Sequence, residues 1–184
     1  MNAITMPYDR FFNRIERAHW LLPTLARFLF AAVLLVYYLN SGLTKLGPGI
    51  SGLWTPSVGA YAQIFPRAIE AAGYDADALG LFHRAVVVAG TFAEFALPLM
   101  ICAGLLTRFA ALGMIGFILV QSLTDIIGHG VEISGTGWFD RFPDGVILDQ
   151  RALWIFLLVV LVVKGAGPLS IDRVLRRKYA PKRS

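Results

Sequence analysis

AVVVAGTFAEFALPLMICAGLLTRFAALGMIGFILVQSLTDII, residues 85–127, consists of two apolar runs parted only by Leu106-Thr107-Arg108. A membrane span needs about 20 mostly apolar residues to cross roughly 30 Å of hydrocarbon. Residues 85–106 and 109–127 each meet that need, and so short a join predicts a tight antiparallel hairpin. Working outward, residues 28–46, centred on FLFAAVLLVYYL, and residues 147–163 read as two further spans. The whole chain agrees. Of its 184 residues 57% are hydrophobic and 16% charged, and the mean hydropathy is +0.63. A soluble domain carries about 25% charged residues, so composition excludes a soluble enzyme and a disordered chain. The first apolar run is read as a retained span rather than a signal peptide, because a long basic region precedes it and no A-x-A-type cleavage site follows.

The positions of Lys and Arg give the orientation. Lys45, Arg67, Arg84, Arg141 and Arg151 fall outside, and the other twelve of the 17 fall inside if both termini are cytoplasmic. That bias satisfies the positive-inside rule. The acids Glu70, Asp75, Asp77, Asp125, Glu132, Asp140, Asp144 and Asp149 lie outside. The net charge of +5 is therefore mainly a topology signal, and the tail RRKYAPKRS suits anionic lipid rather than nucleic acid. The expected fold is all-α: an integral membrane four-helix bundle with both termini cytoplasmic and two long extracytoplasmic loops, 47–83 and 128–146. Three regions follow: an amphipathic interfacial segment at 1–24, the four-span domain at 25–167 and a basic cytoplasmic tail at 168–184. In the first, Phe11, Phe12, Ile15 and Leu22 share a face opposite Arg10, Arg14 and Arg17. In the outer loops a short helix is expected near 67–72, and Trp138 and Phe139 suit a membrane interface.

Glu94 is the sharpest single residue. It lies about ten residues into the second span, roughly 15 Å below its outer end. A bare carboxylate there is costly, so it should face the bundle interior and either find a partner or be protonated. Gly90 and Thr91 lie one turn back, and Pro98 leaves the Glu94 carbonyl without its helical donor. In span one, Val33, Tyr37, Asn40, Ser41 and Thr44 fall on one stripe that ends at Lys45. In span three, Gly113, Phe117, Gln121 and Asp125 follow i, i+4 spacing, and Gly113 and Gly116 allow close helix approach. Span four opens with Asp149, Gln150 and Arg151, an Asp149–Arg151 interface ion pair being one reading. These groups converge on the outer half of the bundle. The expectation is a quinone-headgroup pocket lined by Tyr37, Asn40, Lys45, Thr91 and Gln121, with Glu94 as proton acceptor. The same Asn, Gln and Thr also suit plain interhelical hydrogen bonding.

Other chemistries lack their residues. The one cysteine, Cys102, allows no intrachain disulfide, CxxC pair or cysteine zinc site. A haem held by two histidines needs both at mid-depth, whereas His19 is cytoplasmic and His83 and His129 sit at outer ends of spans. No haem or metal is expected, although His83 and His129 share one side with Asp125 and Glu132. Met100, Cys102 and Met114 read as apolar packing.

At the end of span one, Ser41-Gly42-Leu43-Thr44-Lys45-Leu46 looks like a G-x-x-K-L element. Glu94 followed by Gly104-Leu105-Leu106-Thr107-Arg108-Phe109-Ala110-Ala111-Leu112 looks like an E-x(n)-G-L-L-T-R-x-A-A-L hairpin. Gly165-Ala166-Gly167-Pro168-Leu169-Ser170-Ile171-Asp172 looks like a closing G-x-G-x-x-S-x-D element. Together, over roughly residues 25–175, the chain resembles the DoxX-like family of small bacterial inner-membrane proteins. The resemblance implies a four-helix membrane protein linked to quinol oxidation and thiosulfate:quinone chemistry, in some members as the membrane partner of redox or stress-response proteins. Lacking CxxC and buried histidines, this chain departs from a self-contained redox member. The reading is an accessory subunit of a quinone-linked redox system in the bacterial inner membrane. The alternatives are a non-catalytic anchor for a soluble or periplasmic partner, docking through the outer loops, and a small transporter or metal-handling protein. Membrane lipid, an extracytoplasmic protein and a second copy of the chain are the expected partners, and nucleic acid is not. Independently of the family, Gly165–Pro168 should stop span four and Ser170 should cap a basic helix.

Overall fold

The computed structural model describes residues 5–132 and 146–179. These form eight α-helices: α1 (Thr5–Arg17), α2 (Leu21–Lys45), α3 (Val58–Ile64), α4 (Pro66–Ala71), α5 (Leu81–Ala103), α6 (Thr107–Gly128), α7 (Arg151–Lys164) and α8 (Ile171–Tyr179). There is no strand among the described residues. Three of the helices, α2, α5 and α6, are long and apolar enough to cross a membrane. Helix α7 is 14 residues long, about 21 Å at 1.5 Å per residue. A π turn at Val146–Gln150 runs directly into it. The four rods close a ring in which α2 meets α5, α5 meets α6, α6 meets α7 and α7 meets the inner half of α2. Phe30, Leu34 and Tyr38 of α2 fill its centre with Ile101, Met114, Ile118, Leu158 and Leu161. Large apolar side chains, among them Phe28, Val36, Phe109, Leu119, Leu153 and Phe156, cover the outward faces. Apolar cover on that scale marks a surface that does not face water.

Helix α1 keeps Phe11, Phe12 and Ile15 together, but Leu22 is not on it. The helix breaks at residues 18–20, and Leu22 opens α2. Span one thus starts at Leu21, seven residues earlier than expected. Pro23 does not prevent this, because in the first turn its missing N–H has no partner to lose. A π turn at Ala31–Leu35 follows, and the inward line runs Phe30, Leu34, Tyr38, Gly42, Lys45. The expected stripe lies about one residue round from this line: Val33, Tyr37, Asn40 and Thr44 are exposed, and Ser41 is half-buried. At Gly42 a Cβ would stand 2.7 Å from the Phe95 ring. A larger residue here would push the Phe95 ring aside, so glycine suits the packing of α2 on α5.

The outer segment 47–83 is more ordered than a bare loop. The short helix at Pro66–Ala71 forms as expected, and α3 joins it. Ala60, Tyr61 and Ile69 pack on Val87 of α5 as a small second core. In the second outer segment, Trp138 and Phe139 lie outside the described residues.

The inner ends are tied together by side chains. Gly104, at φ +68°, ends α5, with the Leu105 N–H on the Met100 carbonyl at 2.9 Å, a Schellman closure. Arg27 reaches in from α2 and donates to the carbonyls of Ile101 (3.0 Å), Cys102, Ala166 (2.9 Å) and Leu169. Ser170 caps α8 as expected, its Oγ accepting from the Arg173 N–H at 3.2 Å. Asp172 does something the sequence did not suggest. Its carboxylate accepts from the Leu106 and Thr107 N–H groups at 2.7 and 3.0 Å, capping α6 from sixty-odd residues away.

Burial pushes the Asp172 carboxyl up, but the hydrogen bonds from Thr107 and Leu106, with Arg176 nearby, outweigh it and hold the group below the ordinary 3.8. A carboxyl depressed in the folded state contributes stability above its unfolded value and loses it as pH falls through the folded one. The stability gap between wild type and Asp172→Asn should be constant above about pH 5 and close below pH 3.8. Thermal unfolding in detergent at stepped pH reads this directly. A gap that persists at pH 2 would mean Asp172 acts only by shape.

Candidate functional site

The close crossing at Gly42 brings Lys45 of α2 against Glu94 of α5. Lys45 Nζ donates to the two Glu94 oxygens at 2.9 and 3.0 Å and to Ser41 Oγ at 2.9 Å. Ser41 in turn donates to Glu94 Oε1 at 3.0 Å. Lys45 and Glu94 are 5% and 3% exposed, so the pair is desolvated and depends on these bonds. Ser41 lies four residues before Lys45, one helical turn away, which was the available signal for its role.

The pair lines one side of a cavity of about 510 Å³ between the C-terminal half of α2, the stretch of α5 from Val86 to Leu97 and the C-terminal half of α6. Ile64, Val86, Leu97, Phe117 and Val120 make its walls apolar, and Gln63, Asp125 and His129 stand at its rim. Three glycines keep it open. Gly90 and Gly113 would place a Cβ 3.5 and 3.1 Å from Ile64 and Leu97, so the helices do approach at Gly113. Gly116 meets nothing within 4 Å. It borders the cavity instead of a helix contact, contrary to expectation.

Most expected residues converge here. Tyr37, Lys45, Glu94 and Gln121 line the cavity, and Gln121 Nε2 donates to Tyr37 Oη at 3.1 Å. Phe117 and Asp125 follow Gly113 along the same face of α6. Two expected residues do not join them. Asn40 is exposed on the outward side of α2, because the expected stripe lies round from the buried line. Thr91 is fully buried toward the small outer core, with its hydroxyl on the Val87 carbonyl at 2.8 Å. It lies about 100° around the helix from Gly90, and that rotation takes it out of the cavity.

Arg151 pairs across helices. Its guanidinium donates to Asp125 and, at 3.0 Å, to Ser122, both on α6. Among the described residues, Tyr38 Oη, Gln121 Oε1 and Arg151 Nε are buried and find no protein partner. Buried polar atoms are rarely left so, and of the three Gln121 belongs to the cavity wall. The two outer histidines take separate settings. His129 contacts the Gln63 carbonyl at 3.0 Å, and the His83 ring packs edge-on to Phe65 and Phe82 at 4.8 and 5.7 Å. Among the described residues no group of three His, Cys, Asp or Glu stands close enough to hold a metal ion.

No family model matches the chain. An uncharacterized protein of Haemophilus influenzae (strain Rd) is 27% identical over 89 residues, which are 48% of this chain and 52% of that protein. The chain thus spans about half the length of the curated relative it matches. No solved structure matches.

Proposed function

We propose that this chain is a four-span protein of the bacterial inner membrane, of the DoxX-like kind, that holds a quinone headgroup as an accessory subunit of a quinone-linked redox system. In this reading α7, lengthened by the turn at Val146–Gln150, is the fourth span, both termini are cytoplasmic, and the cavity opens to the outer side. The observation that carries the reading is an apolar-walled cavity with a buried Lys–Glu pair in its lining. Such a site suits a flat amphipathic ligand with a polar head.

The residues present fit that ligand. Gln121 Oε1 is a buried acceptor with no protein partner among the described residues, matched to a quinol hydroxyl. Tyr37 accepts from Gln121 and keeps its own O–H to donate to a quinone carbonyl. Leu97, Phe117 and Val120 exclude water, and the cavity glycines leave room for a ring. Bound quinone supplies two-electron, two-proton redox chemistry. Glu94 Oε2 takes only the Lys45 contact, so it is the oxygen with a lone pair left for a proton. A proton taken by Glu94 would leave the Lys45 ammonium with the Ser41 hydroxyl in place of its counter-charge, which would drive that proton onward, and the quinol's second proton would leave through the cavity mouth. The electrons go to or come from a partner subunit with its own redox centre. Trp54, exposed in the outer segment, supports a protein partner on that side.

The test is mild-detergent purification, solvent extraction and mass spectrometry of bound lipids and proteins. The expected result is stoichiometric quinone in the wild type, with at least a tenfold loss in both Glu94→Gln and Gln121→Leu. Gln121 lies outside the ion pair, so its variant separates lost binding from lost folding. Absence of quinone together with a reproducible protein partner would replace this reading with the anchor. Ion or solute flux in proteoliposomes would replace it with the transporter.

A further inference from the structure

A second cavity, of about 240 Å³, lies at the opposite end of the molecule, where α6 begins, α7 ends and α8 turns back. Arg108, Lys164, Arg173 and Arg176 line it, together with the Gly165–Gly167 backbone and Ser170. Four cations therefore face one small space. The carboxylate that shares it, Asp172, has both oxygens engaged by the N–H groups that open α6. Arg176 is close enough to act on the Asp172 charge, but among the described residues Arg108, Lys164 and Arg173 are in neither of the side-chain ion pairs, Lys45–Glu94 and Arg151–Asp125.

The neighbouring Arg27 shows the contrast. It spends its donors on four backbone carbonyls and is a structural tie. Arg108 is committed once, by Nη2 to the Val163 carbonyl at 3.2 Å. That bond holds it above Gly165, where a Cβ would come within 3.5 Å of Nε. The rest of its fork is left for a ligand, and a planar fork is suited to phosphate oxygens. Beside the cations the surface turns apolar: Phe109, Val163 and Leu169 are 74%, 61% and 77% exposed. A cationic cavity edged by exposed hydrocarbon matches a ligand with a phosphate head and acyl chains.

We propose that the cavity between α6, α7 and α8 binds the phosphate headgroup of an anionic membrane lipid, with its chains against Phe109 and Val163. The proposal rests on the membrane reading given above, with this end at the inner surface. It does not depend on quinone. Cations near an anionic surface add affinity individually, but a defined site should depend on these particular ones.

Native mass spectrometry of the full chain in detergent, titrated with phosphatidylglycerol, phosphatidylcholine or glycerol 3-phosphate, tests it. Phosphatidylglycerol should bind at least tenfold more tightly than phosphatidylcholine. That preference should fall about tenfold in R108Q/R176Q and in K164Q/R176Q, the latter keeping the Arg108–Val163 bond. It should survive in R177Q/K178Q, which removes equal charge from the same helix outside the cavity. Equal binding of the two lipids, or an equal loss in all three variants, would overturn the site in favour of diffuse charge. Binding of glycerol 3-phosphate as tight as that of the lipid would overturn the lipid in favour of a soluble phosphate ester. Quinone content, measured in the same samples, should not change, so failure here is separable from failure at Glu94.

Discussion

Replacing Lys45 by methionine should destabilise the protein by about 3–5 kcal/mol, the cost typical of removing one partner from a buried ion pair. The physical reason is local. Glu94 would keep only the Ser41 hydroxyl, at a position only 3% exposed. Removing both charges, as in Lys45→Met with Glu94→Leu, should recover most of the loss, because a well-packed apolar pair is often as stable as the ion pair it replaces. Thermal unfolding of the two singles and the double in one detergent gives the coupling energy through a double-mutant cycle. A coupling below about 0.5 kcal/mol would show that the pair does not hold α2 to α5. The double variant also separates structure from function: it should fold, yet bind no quinone.

Arg27→Met should be about as damaging, at roughly 3 kcal/mol or more, since four carbonyls lose a charged donor together. The carbonyls of Ile101 and Cys102 end α5, and those of Ala166 and Leu169 lie in the segment linking α7 to α8. Loss of the guanidinium should therefore free that link first. Limited proteolysis should cut near 165–172 in the variant under conditions that leave the wild type intact. Arg27→Lys should recover less than half, because a single ammonium cannot span four acceptors held by a planar fork. Full recovery by lysine would reduce Arg27 to a topology charge.

These two residues mark how far a linear reading reaches. Glu94 was legible because an acid in an apolar run has few reasons to be there. Its partner was legible only as a member of a stripe, since Lys45 was placed on the right helix without being assigned to Glu94. The face of α6 was legible outright: Gly113, Phe117, Gln121 and Asp125 line the cavity as their spacing required. The face of α2 was not. Tyr37, Asn40, Ser41 and Thr44 do share a face, but the buried face is the one through Tyr38, Gly42 and Lys45, about one residue further round. Asn40 therefore lies exposed, because polarity along one helix does not say which face a neighbour covers.

Arg27, Asp172 and Arg151 went further astray for a common reason. Each was read against its sequence neighbours, as a topology charge, as part of a closing motif and as a partner for Asp149. Each finds its bonds on another helix. Hydropathy and helical period are local properties, set by the chain's own covalent repeat and by what water rejects. They already determine that the chain is helical, that long apolar helices run through it and that Glu94 must turn inward. Which cation meets which carboxylate depends instead on how closely two helices cross. Gly42, packed under the Phe95 ring, is part of that contact, which neither segment encodes alone. The cavity and its ion pair arise from such contacts between helices.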